Sequence, residues 1–159
     1  MRELIWNSML TAQMSACYWN SLARRYNGRE KYLKIFLAVT ASGTVAGWTI
    51  WAHYDIVWKI LSGLSAIVAV ALPILDYSGQ VEKMTKLASK CAQLRVGYEQ
   101  LWAQIDSLSQ QSILDAQGKL AQQEIELSDV QAVLPDDRKL LEQCQSEVLI
   151  SRGYKTSKD

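Results

Sequence analysis

Charge is missing from two long stretches of this chain. From Ile35 through Tyr54 there is no Lys, Arg, Asp or Glu, and from Ile60 through Leu75 there is none either. Reactive side chains are scarce as well. The single histidine, His53, excludes a histidine-based metal cluster, and Cys17, Cys91 and Cys144 stand far apart without Cys-x-x-Cys spacing, which excludes a zinc ribbon or a dense disulfide scaffold. There is no Gly-x-x-x-x-Gly-Lys-Ser/Thr, His-Glu-x-x-His or Gly-x-Ser-x-Gly. These absences argue against an enzyme and imply no cofactor and no metal. His53 reads as an interfacial polar residue, and the cysteines as small apolar packing residues in a reducing compartment. A net charge of +1 excludes a strongly basic nucleic-acid domain, leaving only local basic patches to interpret.

The uncharged stretches are the organising feature of what is present. Roughly 20 helical residues at about 1.5 Å each cross a hydrocarbon core about 30 Å thick. The first stretch has that length. The second reaches it when it begins near Ile56, which leaves Lys59 a turn inside and able to snorkel to the interface. A buried hairpin in a soluble domain is the rival reading, given a mean hydropathy of -0.05 and 49% apolar residues. Concentration outweighs the average, because the apolar residues form one block while the last third is rich in Gln, Glu, Lys and Ser. The runs start too late and are too long for a cleaved signal peptide. The expectation is a transmembrane hairpin over 32–77, with spans of about 34–53 and 56–76, between a cytoplasmic amphipathic helix at 1–31 and a cytoplasmic helical region at 78–159.

Aromatic and basic residues give that hairpin a direction. Trp48, Trp51, Tyr54 and Trp58 cluster at its tip, with Tyr32 and Tyr77 at the opposite ends of the spans, as two headgroup belts require. Arg24, Arg25, Arg29, Lys31 and Lys34 precede the first span, and Lys83, Lys86, Lys90 and Arg95 follow the second. The positive-inside bias then places both termini in the cytoplasm and the tip outside. The same flanks have two readings: topology with anionic lipid, or a site at Arg24, Arg25, Arg29, Lys83, Lys86, Lys90 and Arg95 for a phosphate-bearing ligand.

In chain order, Ile5, Met9, Ala12, Ala16, Trp19 and Leu22/Ala23 recur at helical spacing, predicting an amphipathic helix that packs against another cytoplasmic helix. A break is expected at Asn27 and Gly28. Gly43 and Gly47 form a Gly-x-x-x-Gly, suited to close helix pairing within the hairpin or between subunits. In the second span Ser62, Ala66, Ala69, Pro73 and Asp76 make a stripe of small and polar groups. That stripe suits either a pore lining with an acidic ring at Asp76, or a dry helix interface. Beyond it, Leu87, Cys91, Leu94, Tyr98, Leu101, Ile105 and Leu108 alternate by 4 and 3, a heptad seam expected to drive oligomerisation unless the final helices from Leu120 onward fold back and cover it. A turn is expected near 115–118, a helix start at Pro135-Asp136-Asp137, and a final helix carrying Leu140, Leu141, Cys144, Val148 and Leu149. The fold class is thus an oligomeric all-α membrane protein: a two-span hairpin, an N-terminal amphipathic helix and a C-terminal helical, coiled-coil region.

A short cytoplasmic helix ending in Arg and Lys, two spans with a tight tip, and a following helix of the texture Glu82-Lys83-Met84-Thr85-Lys86-Leu87-Ala88-Ser89-Lys90-Cys91-Ala92-Gln93-Leu94-Arg95 resemble the SLATT family of two-span bacterial membrane effectors, over about residues 19–105. The resemblance implies a homo-oligomeric pore in the cell inner membrane, serving antiviral defence. It also implies gating by a nucleotide or oligonucleotide signal from a partner nucleotidyltransferase, and loss of membrane potential in infected cells. The contrasting expectation is a non-conducting membrane-anchored coiled-coil scaffold that recruits a soluble partner.

Overall fold

The computed structural model describes residues 2–50, 55–132 and 134–153, excluding the side chains of 43–50, 55 and 58. Trp51, His53, Tyr54 and Ser157, and the side chains of Trp48 and Trp58, therefore lie outside the described residues. Those described form five helices and no strand, as the all-α expectation requires: α1 (Arg2–Ile50), α2 (Asp55–Leu75), α3 (Tyr77–Ala103), α4 (Gln110–Gln131) and α5 (Arg138–Ser151). They divide into two compact units, Met1–Ala23 with Glu82–Asp159, and Arg24–Val81. These units follow packing rather than depth in a bilayer, and 1–23 and 82–159 share one of them.

The first unit is a bundle in which each helix buries one stripe. The first 22 residues of α1 contribute Ile5, Met9, Ala12, Trp19 and Leu22, and α3 contributes Met84, Leu87, Cys91, Leu94, Tyr98 and Leu101. From α4 come Ile113 and Leu127, and from α5 Leu140, Cys144 and Val148. Burying an aliphatic side chain of this size contributes about 2 kcal/mol, so this core outweighs the weak helix propensity of any one segment. The N-terminal helix packs as its periodicity predicted. Trp6 meets Trp102 with ring centroids 5.5 Å apart, and Tyr18 meets Asp136, so α3 and α5 both run antiparallel to α1. Tyr98 donates to Glu124, and a Cβ on Gly97 would stand 2.7 Å from Leu120 Cδ2, so α4 lies close along α3.

Three expectations are corrected. Helix α1 continues through Asn27 and Gly28, where no atom stands within 4 Å of an added Cβ. A helical Gly costs about 1 kcal/mol relative to Ala, too little to break a helix held on both sides. For the same reason α4 continues through 115–118. The turn falls instead at 104–109, where Ser109 caps α4 by accepting from Ser112 N at 3.2 Å. Third, the heptad seam is not offered to a second chain. Leu87, Cys91, Leu94, Tyr98 and Leu101 are already buried by the chain's own helices, while Ile105 and Leu108 lie beyond the end of α3 and are half-buried. A chain that doubles back satisfies the same period of 3.5 as two chains side by side.

At the start of α5, Asp137 rather than Pro135 marks the boundary, its side chain accepting from Leu140 N at 3.1 Å. Tyr18 Oη secures this turn by donating to Asp136 Oδ1 and accepting from Asp137 N, each at 2.8 Å. Burial pushes the Tyr18 phenol up to about 12. At the other end of α5, Arg152 donates to Gln13 Oε1 at 2.7 and 3.0 Å and to Glu99 Oε1 at 2.9 Å.

Candidate functional site

In the second unit the start of α3, immediately after α2, meets α1 through Tyr26–Tyr77 (centroids 5.8 Å apart) and Ser78, which donates to Glu30 at 2.6 Å. Helix α2 is 21 residues long, enough to cross a bilayer core at about 1.5 Å per residue. Among the described residues one helical run, Lys59–Ala103, which takes in most of α2, is long and apolar enough to span a membrane. Its most apolar window of 18 residues has a mean hydropathy of 1.9, and none of that window is buried. Ile56, Ile67 and Ile74 are 72%, 66% and 77% exposed. Contiguous apolar surface of this extent marks an interaction with lipid or protein rather than water.

Exposure separates the faces of α2. Leu61, Ser65, Val68 and Leu72 are half-buried at spacings of 4, 3 and 4, and the opposing stripe on α1 is Glu30, Leu33, Leu37 and Thr40. Each of Ser62, Ala66, Ala69 and Pro73 follows one of the half-buried positions by a single residue, about 100° further round, and all four are exposed. The small-residue stripe is therefore open rather than used for packing within the hairpin. Gly43 and Gly47 follow Thr40 by three and seven residues in α1, and their surroundings lie outside the described residues.

Asp76 departs from its expected place on that stripe. Its φ of 40° puts it in the left-handed region, where it separates α2 from α3. Its Oδ1 accepts from Gly79 N at 3.2 Å, and its carbonyl accepts from Gln80 N at 3.0 Å. A Cβ on Gly79 would run into this carboxylate, which would have to turn away from it. The Gln80 side chain donates to Leu75 O at 3.2 Å, satisfying a carbonyl at the end of α2.

The basic residues divide between the units. Arg24, Arg25 and Arg29 lie in the second, all exposed, with the Arg29 guanidinium 5.6 Å from the Tyr26 ring centroid. Lys31 and Lys34 line an open groove of about 530 Å³ with Asn27 and Ile35. At its base Glu30 is buried, accepting from Lys34 at 2.6 Å and from Ser78 at 2.6 Å. Those hydrogen bonds, from Lys34 first, hold its carboxyl below the usual range.

Lys83, Lys86, Lys90 and Arg95 belong to the first unit. The first three share an exposed stripe of α3, with Lys86 paired to Glu82 at 2.6 Å. Lys90 lines a cavity of about 210 Å³ with Gln93, Gln123 and Glu126. Arg95 lies about 140° round the helix from Lys90, half-buried, with its Nε shielded from solvent and without a hydrogen-bond partner. Within the first unit, Arg95 therefore does not share the face of Lys83, Lys86 and Lys90. No group of three or more His, Cys, Asp or Glu is placed to hold a metal among the described residues.

No family model, curated protein or solved structure matches this chain. Fold and site define a class alone: an all-α protein in which one unit is a helical bundle and the other carries an exposed apolar helix compatible with a bilayer.

Proposed function

We propose that this protein is a two-span membrane effector that assembles into a homo-oligomeric, ion-conducting pore in the bacterial inner membrane, with both termini cytoplasmic. Its spans are 34–53 and 56–76. In this reading it is not an enzyme, and a nucleotide-derived or oligonucleotide signal from a partner nucleotidyltransferase gates it during antiviral defence, consistent with the SLATT resemblance. The observation that carries the reading is α2, a helix of bilayer length with none of its described residues fully buried and an open row at Ser62, Ala66, Ala69 and Pro73. Convergence of that row from several copies would leave room for ions. Lys83, Lys86 and Lys90 are the part of the basic set that shares one face and suits the phosphates of a signal.

Purified protein in liposomes tests this with an ion-flux readout, with and without candidate nucleotides or oligonucleotides. Ala69→Trp is expected to block flux without changing insertion, and Ile67→Trp to conduct as the wild type does. Asp76→Asn keeps a capping side chain that tolerates the left-handed conformation while removing charge, so it isolates a carboxylate ring from the cap. Reduced cation preference with intact assembly is the expected result. Flux blocked by Ile67→Trp and not by Ala69→Trp would move the lining to the other face.

The scaffold reading is favoured by one specific observation, the engagement of Asp76 with the backbone of α3. No conductance from the wild type under any candidate signal would decide for it.

A further inference from the structure

Cys17 on α1 and Cys144 on α5 are 127 residues apart in sequence, yet their Sγ atoms lie 3.1 Å apart in the first unit. We infer that this pair is a reversible oxidation site, which a low-molecular-weight disulfide converts into an intramolecular cross-link between α1 and α5.

The approach is built into the packing. Four residues before Cys17, Gln13 accepts from Arg152; one residue after it, Tyr18 grips the Asp136–Asp137 turn. These two anchors bracket the thiols along both helices and fix the register that brings them together. A disulfide has an S–S length of about 2.05 Å, so closure requires a movement of roughly 1 Å, within the reach of a change in side-chain torsion.

The two thiols differ in access. Cys17 is partly open to solvent, and its thiol also lies 3.8 Å from Glu147 Oε2. Cys144 is buried, and that burial pushes its thiol up to about 12, so it does not meet the oxidant first. Cys91 is equally buried on α3, its thiol pushed up to about 11 by burial and then by Glu124. It supplies an internal control.

The chemistry balances as two exchanges. The Cys17 thiolate attacks one sulfur of the small disulfide, forming a mixed disulfide and expelling one thiolate, which takes up the proton Cys17 lost. Cys144 then gives up its proton and attacks Cys17 Sγ, expelling the second thiolate, which is protonated in turn. Two protein thiols are oxidised and one small disulfide is reduced to two thiols. The second step is intramolecular between atoms already adjacent, which favours it over attack by a second small thiol.

Full-length protein in detergent, incubated with oxidised glutathione, tests the assignment. The expected product is a monomer lighter by two hydrogen masses, with a single alkylatable cysteine after denaturation and a peptide joining Cys17 to Cys144. Its melting midpoint should rise by several degrees, because a cross-link enclosing nearly the whole chain constrains the unfolded state. Dithiothreitol should reverse both changes. Cys91→Ala should behave as the wild type does, and Cys144→Ala should stop at the mixed disulfide. Should Cys144→Ala fail to fold, the wild-type mass and peptide map decide alone. A persistent glutathione adduct on wild-type Cys17, a dimer linked through Cys17, or a cross-link that includes Cys91 would each overturn the assignment.

Discussion

Tyr18 places one hydroxyl between a donor and an acceptor at the start of α5, and its surroundings favour the neutral phenol. With the ordinary value at 10.0 and the folded value pushed up to about 12, the folded state holds its proton where the unfolded state has lost it. The corresponding stability is fully present below about pH 10 and is lost as pH rises toward 12. Tyr18→Phe removes the hydroxyl, and with it the bonds to Asp136 Oδ1 and from Asp137 N. Chemical denaturation at neutral pH should show a loss of about 1 to 2 kcal/mol, and the decline between pH 10 and 12 should be shallower than in the wild type. Retention of the full alkaline slope would assign it to the cysteines and the other tyrosines. This interaction was not legible in the sequence. Nothing near Tyr18 marks it as a partner for residues 118 and 119 positions away, whereas the capping chemistry of Asp137 was locally apparent.

Element by element, periodicity was the reliable signal and punctuation the misleading one. The 4 and 3 spacing from Leu87 to Leu101 identified the buried face of α3, because a helix has one way of presenting such a stripe. Gly28 and Gly118 were misleading, since Gly lowers helix propensity by an amount that neighbouring packing exceeds. Gly28→Ala should therefore stabilise the chain by about 0.5 to 1 kcal/mol in a thermal melt, with unchanged helix content by circular dichroism. Destabilisation would indicate that residue 28 needs a conformation other than helix. The Asp76 junction carried an intermediate signal: an Asp three residues before a Gly suggests a cap, but its place on the 3 and 4 stripe of α2 suggested a pore residue with equal force. Periodicity cannot register the left-handed backbone at φ 40°.

For the whole molecule, the apolar character of α2 was legible because bilayer length and absence of charge are properties of a single segment. The grouping of the cations was not, since it depends on helical register and on which unit each helix joins. The α3 seam was legible as a buried stripe but left open between two kinds of cover, since a stripe does not say which helices meet it. Leu94→Glu with Leu101→Glu should consequently unfold the first unit rather than separate folded subunits, each lost side chain removing about 2 kcal/mol or more before the cost of a buried charge. Loss of helical signal and of protease resistance in detergent would show this, while folded monomers released from an oligomer would restore the intermolecular seam. The bundle also draws on segments far apart in sequence: Tyr18 and Cys17 meet partners at the start of α5 and on it that are synthesised more than 115 residues later. At about 5 to 20 residues per second, the ribosome takes on the order of ten seconds to supply them. Through that interval the apolar face of the N-terminal helix lacks its final cover, and a nascent chain that stops before α5 would present Ile5, Met9 and Trp19 to chaperones and proteases.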